Sequence, residues 1–245
     1  MTVTIRDIAR KLNLSIGAVS RALDGYPDIS EETRQRVSQA AREMGYVPNR
    51  AARQLRRRKA DTLGFVLPAA RPRFGDPFFS ELLAGLGDEA NRHGYDLLAA
   101  TAAPGSETEE RLYRTWVQGN KVDGIVLARL RLQDWRVRFL AAEHFPFAGL
   151  ERSLDEVEFP HVMVDNCGSV AALVAHLVEC GFERIAYLGG PEELKIQADR
   201  QRGYRSGLEA AGLPFRPGFT CTADMTSTGG YEAALGLLAL AEPPD

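Results

Sequence analysis

From residue 62 onward, short apolar runs alternate with longer amphipathic stretches, and no other feature constrains the fold as strongly. Runs at 63–67, 95–100, 124–128 and 147–150 have strand length, and the stretches between them, 78–93, 108–119 and 137–142, carry apolar residues at helical spacing. Repeated strand-helix-strand units predict a parallel sheet covered by helices, because parallel neighbours need a long crossover. A second series follows at 161–165, 169–180, 185–189, 198–211, 219–222 and 230–240, and the break around 155–160 predicts that it builds a second sheet. Two lobes are expected, about 61–158 and 159–245. The second is expected to be incomplete, because Glu242-Pro243-Pro244-Asp245 stands where such a series would enter its next strand. A missing portion would leave sheet edges and apolar faces exposed.

The first 60 residues have a different chemistry. They hold 13 Lys/Arg against 6 Asp/Glu, a net +7, while residues 61–245 carry a net −10, so the overall −3 conceals a basic head on an acidic body. Such asymmetry announces a polyanionic partner more reliably than the total charge does. With 245 residues, 44% of them hydrophobic, the chain can bury a substantial core in two units. There is no apolar leader and no uncharged run approaching the roughly 18 residues that span a bilayer, which predicts a cytosolic protein. Cys167, Cys180 and Cys221 are odd in number and lack metal-ligand spacing, so they are expected to be buried reduced thiols.

Within the head, Thr4 and Asp7 form a T-x-x-D capping pair, and Ile5, Ile8, Ala9 and Leu12 follow at i, i+3, i+4 and i+7. That helix should end near Asn13. Ser15 caps a second helix whose Val19 and Leu23 point one way, while Gly17, Ser20 and Arg21 fall within about 100° of one another on the other side. A third helix starts at Ser30, with Ile29 as a staple, Glu31 and Glu32 in its first turn and Gly45 just past its end. Three short helices about a small core, the second presenting small polar groups and an arginine, is the helix-turn-helix plan. The alternative is a three-helix protein-binding module. After Pro48, the segment to Leu55-Arg56-Arg57-Arg58-Lys59 has little apolar surface to bury. It reads either as a charged linker or as a hinge helix that folds on DNA, its arginines and a single leucine suiting the minor groove.

The stretch Thr4-Ile5-Arg6-Asp7-Ile8-Ala9, then Leu14-Ser15-Ile16-Gly17-Ala18-Val19-Ser20-Arg21-Ala22-Leu23, then Tyr46-Val47-Pro48-Asn49-Arg50-Ala51-Ala52 strongly resembles the lac repressor (LacI/GalR) family of bacterial transcription regulators. The resemblance implies a head at 1–47, a hinge at 48–60 and a periplasmic-binding-protein-like effector and dimerisation domain from 61 onward. It places Ile16 and Gly17 at the positions that vary with operator sequence, has Arg21 read a base edge, sends Ser15 and Ser20 to phosphate, and makes Leu55 the hinge wedge. Thr4, Ser30, Asn49, Arg50 and Ala52 complete that DNA-facing set. Two features bear on specificity. Gly17 offers no side chain to a base, and Ile16 offers only apolar contact, with partial burial beside Val19 and Leu23 as its alternative. Asp24 stands where an asparagine would sit more comfortably near phosphate.

Ligands of open parallel sheets gather beyond the C-terminal strand ends, so a cleft between the lobes is the expected effector site. Asp76, Phe78 and Phe79 follow the first strand, Arg129 the third, Asp165 and Asn166 the fifth, and Arg200 begins a helix. Aromatic faces with carboxylates, amides and guanidinium groups suit a polyhydroxylated ligand. The alternatives are that Phe78 and Phe79 belong to the core and that Asp165 merely caps a helix. Gly190-Pro191 with Arg200 and Gly203-Tyr204 resembles the family's effector-binding stretch, and Asp76-Pro77-Phe78-Phe79 and Val164-Asp165-Asn166 look like sugar-responsive members.

Catalysis is disfavoured. The turn after the first strand is Pro68-Ala69-Ala70 rather than a dinucleotide loop, Gly189-Gly190-Pro191 lacks the Lys-Ser/Thr of a phosphate loop, and the four histidines are scattered. No cofactor and no metal are implied. The resulting expectation is a sequence-specific regulator, a repressor of carbohydrate-utilisation genes that binds a palindromic operator as a homodimer and responds to a small sugar. The competing expectations are a sugar-binding transport component and a non-functional fragment.

Overall fold

The computed structural model describes residues 3–47, 59–68 and 77–245. The chain divides into two compact units, Met1–Arg58 and Lys59–Asp245.

Among its described residues, the first unit has three helices: α1 (Ile5–Leu12), α2 (Ile16–Leu23) and α3 (Glu31–Glu43). Their ends are fixed by local side chains. The Asp7 carboxylate accepts from the Thr4 backbone N–H at 2.9 Å and from its hydroxyl at 2.7 Å. Asn13 terminates α1 in the left-handed region, at φ 53°, which an asparagine tolerates. Ser15 Oγ accepts from the Ala18 N–H at 3.1 Å, Ser30 Oγ from the Thr33 N–H at 3.3 Å, and Gly45 takes φ 65° just beyond α3. The apolar stripes meet in one core of Ile8, Ala9, Val19, Ala22, Val37, Ala40 and Ala41, with Leu12, Leu23, Ile29 and Met44 at its margin.

The second unit opens with β1 (Thr62–Pro68), α4 (Pro77–Arg92), β2 (Asp96–Ala102), α5 (Glu107–Gln118), β3 (Gly124–Leu127), α6 (Trp135–Ala142), β4 (Phe147–Leu150) and β5 (His161–Val162). These strands form one parallel sheet in the order β2-β1-β3-β4-β5. Alternation along β1 sends Val66 to a cluster with Tyr113, Trp116, Ile125, Leu127, Val137 and Leu140, and sends Phe65 and Leu67 to a cluster with Phe79 and Ala128. Both sheet faces are thus covered, which is why the strand reads as an unbroken apolar run.

One strand lies elsewhere than the sequence suggested. The Gly149 N–H donates to the Pro160 carbonyl at 2.9 Å and the Glu151 N–H to the Val162 carbonyl at 2.8 Å, so residues 161–162 extend the edge of the first sheet and do not begin a second one. The second sheet starts at β6 (Tyr187–Gly189), which pairs in parallel with β7 (Thr220–Thr222). Around it lie α7 (Asn166–Glu179), α8 (Lys195–Ala210) and α9 (Ser227–Leu238). Tyr204 on α8 stacks on Tyr187 at 5.4 Å between ring centroids and donates its hydroxyl to the Ile185 carbonyl at 2.9 Å. The cysteines are free, but Cys180 is exposed and the other two half-buried, so the expectation of buried thiols fails. Cys180 follows the last turn of α7, whose outer side faces solvent.

Candidate DNA interface and effector pocket

The dry side of α2 holds Val19 and Ala22 in the head core. The other side stays in solvent: Ser15, Gly17 and Arg21 are exposed, Ser20 is half-buried, and Ile16 keeps 47% of its surface exposed and stands outside the core cluster. A Cβ built on Gly17 would meet only Ser15 Oγ, at 3.9 Å, so this side of α2 is open. Thr4 and Ser30, at the starts of α1 and α3, are also exposed. Arg21 is engaged: its Nη1 lies 2.6 Å from Asp28 Oδ2. Asn49, Arg50, Ala52 and Leu55 lie outside the described residues, as does Asp76 in the body.

In the body the remaining candidates fall into two groups. Phe79 is only 6% exposed, packed among Phe65, Leu67 and Ala128, and therefore serves the core. It supports two neighbours. Phe78 meets it edge-on at 5.3 Å while remaining 56% exposed, and the Arg129 guanidinium lies 4.9 Å over its ring. Arg129 adopts φ 48°, a left-handed conformation that costs on the order of 1 kcal/mol in a residue bearing a Cβ. Buried Arg136 holds it there. Its Nη2 donates to the carbonyls of Ala128 and Arg129 at 3.3 and 3.1 Å, while Asp134 accepts from its Nε and Nη2 at 2.9 and 2.6 Å. Burial opposes ionisation of Asp134, but the hydrogen bonds and positive charge of Arg136 prevail and hold its pKa below the ordinary carboxylate value. Glu109, also buried, accepts from Arg131 at 2.9 Å, so the charges of this turn are paired in opposite signs.

The second group is a hydrogen-bonded string. Arg200 Nε donates to Asn166 Oδ1 at 3.1 Å, and Asn166 Nδ2 donates to Glu151 Oε1 at 2.8 Å and to the Val164 carbonyl at 3.1 Å. Glu151 was not among the sequence candidates, although it follows β4 directly and so stands at a strand's C-terminal end. It holds φ 82°, and its Oε2 is buried without a hydrogen-bond partner among the described residues. A buried carboxylate oxygen without a donor is costly, and this one has capacity to accept an N–H or O–H. Asp165 accepts from the Gly168 N–H at 2.8 Å, so its carboxylate caps α7. One turn before Arg200, Gln197 accepts from the Tyr187 hydroxyl at 2.9 Å, and burial raises the pKa of that tyrosine.

Two backbone hydrogen bonds tie the groups together. The Lys195 N–H donates to the Leu130 carbonyl at 3.0 Å and the Leu132 N–H to the Glu193 carbonyl at 2.8 Å, around an antiparallel bridge between Arg131 and Leu194. The loop bearing Arg129 is therefore attached to the start of the helix bearing Arg200.

With this geometry in view, the comparisons with known proteins are consistent at every level. Residues 4–49 match the model of bacterial regulatory proteins of the lacI family, and residues 60–245 match that of periplasmic binding proteins and the sugar binding domain of the LacI family. The chain belongs to the LacI family. Over 245 residues it is 37% identical to the HTH-type transcriptional regulator AglR of Rhizobium meliloti, covering 100% of this chain and 68% of AglR. The structure of the transcriptional regulator CelR–cellobiose complex superposes with a TM-score of 0.65 at 30% identity, over 96% of this chain and 70% of that one. The lac repressor dimer bound to operator and the anti-inducer ONPF gives 0.77 at 22% identity over 97% of this chain and 70% of that one, which speaks for the fold. The matched family is one of bacterial regulatory proteins, and AglR and CelR are transcriptional regulators. Among the described residues, no helix is long and apolar enough to cross a membrane, and no group of three His, Cys, Asp or Glu side chains could hold a metal ion.

Proposed function

We propose that this LacI-family protein is a cytoplasmic repressor of carbohydrate-utilisation genes, binding a palindromic operator as a homodimer and releasing or holding it according to a small sugar. The observation that carries this reading is the exposed side of α2, which presents an arginine and small residues from a helix whose other side is fixed in the core. Inserted into the major groove, α2 brings Arg21 to a base edge, Ile16 to a thymine methyl, and the Ser15 and Ser20 hydroxyls to flanking phosphates. Gly17 permits close approach of the helix backbone. Thr4, Ser30, Asn49, Arg50 and Ala52 add backbone contacts, and Leu55 wedges into the minor groove between paired hinges.

On the effector side, Arg200, Asn166 and Glu151 supply donors and acceptors, while Phe78 and the Arg129 guanidinium supply a flat face, a combination suited to a sugar's hydroxyls and its apolar ring face. CelR, a relative of the same architecture, is known in complex with cellobiose. Sugar binding favours one arrangement of the lobes, and the hinge spacing that goes with it changes operator affinity by the difference in sugar binding between the two arrangements. A genomic footprint repeated with a panel of mono- and disaccharides tests the whole reading. Discrete palindromic sites whose occupancy responds to one sugar are expected; occupancy without sequence preference, or indifference to every sugar, overturns the regulator or the effector assignment respectively.

A further inference from the structure

The arginine assigned to base reading is held by a carboxylate. Arg21 stands in the last turn of α2, and its Nη1 lies 2.6 Å from Asp28 Oδ2, with 51% of each side chain exposed. Asp28 is not a casual neighbour. The turn that carries it is fastened at both ends: the Tyr26 N–H donates to the Arg21 carbonyl at 3.1 Å, the Ile29 N–H to the Tyr26 carbonyl at 3.2 Å, and Arg34 Nη2 to the Tyr26 and Ile29 carbonyls at 3.3 and 3.5 Å. Ser30 then caps α3. The carboxylate is thereby held beside the exposed side of α2.

We propose that Asp28 is a positioning residue that sets operator specificity through Arg21; the inference rests on the DNA-binding reading above. A guanidinium carries five N–H donors in a planar fork. Committing one nitrogen to Asp28 removes rotamer freedom before DNA arrives and leaves the rest of the fork for a base edge. It also adds a negative charge beside Arg21, so that a phosphate competes poorly for the same guanidinium. An exposed pair of this kind adds little to stability, so its consequence is expected in recognition. Asp28 thus weakens sequence-independent attraction and sharpens the choice of base, a form of discrimination against the wrong partner.

The test uses the full chain, a duplex selected by the wild type from a randomised pool, and a random duplex of equal length, each titrated against salt. Asp28→Asn should bind the random duplex several-fold more tightly, with a salt slope steeper by about 0.9 per head as Arg21 turns to phosphate. Its preference for the selected duplex should fall about fivefold or more, the lower limit for a base contact worth ~1–3 kcal/mol. In an Arg21→Ala background, Asp28→Asn should change neither quantity. An unchanged slope and preference, or an effect that persists without Arg21, overturns the proposal. So does loss of the folding transition in both Asp28→Asn and Asp28→Ser, which would make Asp28 structural. A wild type that selects no duplex would instead sink the DNA-binding reading on which the proposal depends.

Discussion

Replacing Gly203 with alanine should destabilise the body and disconnect its Arg200–Asn166–Glu151 string, although the same change elsewhere in the chain should do the opposite. Gly203 lies on α8 where that helix crosses α7. A Cβ there would fall 2.2 Å from the Cys167 carbonyl oxygen, 3.0 Å from its carbonyl carbon and 3.1 Å from its Cα, all of them backbone atoms with no rotamer to yield. Relief requires α8 to withdraw by about 1 Å, since ordinary contacts of carbon with oxygen or carbon lie at about 3.2–4 Å. That withdrawal loosens Tyr204 and Leu208 in the second-lobe core and stretches the 3.1 Å bond from Arg200 to Asn166 beyond hydrogen-bonding reach. Overpacking of this kind costs about 1–3 kcal/mol, and the helix propensity gained from glycine to alanine, about 1 kcal/mol, offsets only part of it. Gly85 on α4 has nothing within 4 Å of its would-be Cβ, so Gly85→Ala should keep the propensity gain as stability. Urea denaturation of both variants reads the difference: the Gly203→Ala midpoint should lie below wild type by several tenths molar, the Gly85→Ala midpoint at or above it. Calorimetric sugar affinity should fall for Gly203→Ala alone. Equal midpoints for the two variants would refute the close approach of α8 to α7.

Glu151→Gln keeps the acceptor that faces Asn166 but converts the orphaned oxygen to an amide donor; calorimetry should show the sugar bound about 10- to 100-fold more weakly, the loss expected for a hydrogen bond to a charged group. Gly17→Ala, in open space on α2, should raise the thermal midpoint of the head, with about 0.5–1 kcal/mol gained from helix propensity, while gel-shift affinity for operator declines because the added methyl enters the groove side. Acid titration of stability should report Asp134: its folded pKa is depressed, so its contribution is present above the ordinary value of 3.8 and is lost as pH falls below it. Asp134→Asn should flatten that acid limb in urea midpoints measured from pH 7 to pH 2.

The head was legible in its sequence because its signals are local. Thr4 with Asp7, Ser15, Ser30, Asn13 and Gly45 each act within three or four residues, and their caps lie where the spacing put them. Features made by distant pairing were less legible. Residues 161–162 looked like the start of a second sheet because strand character says nothing of which edge a strand joins. Arg21 and Asp28 meet across the turn between α2 and α3, where helical periodicity does not apply. Glu109, Asp134 and Arg136 would ordinarily be assigned to solvent, yet they are buried together, a placement open to charges only when they pair. Glu151 was passed over because the strand was read as ending at Leu150, although the rule that ligands gather at strand ends applies to the next residue as well. Phe79 shows the reverse: an aromatic following the first strand was read as ligand-facing with the core as its alternative, and it is the core that holds it.

The most direct test of the account is the salt dependence of binding between the purified full chain and a duplex selected from a randomised pool. A basic head of net +7 lying against phosphate releases counterions in proportion to its contacts, so the logarithm of the association constant should fall linearly with the logarithm of salt concentration, at about −0.9 for each phosphate neutralised. A slope of several units with retained preference for the selected sequence is the predicted result. Binding that ignores salt, or no selected sequence at all, would contradict it.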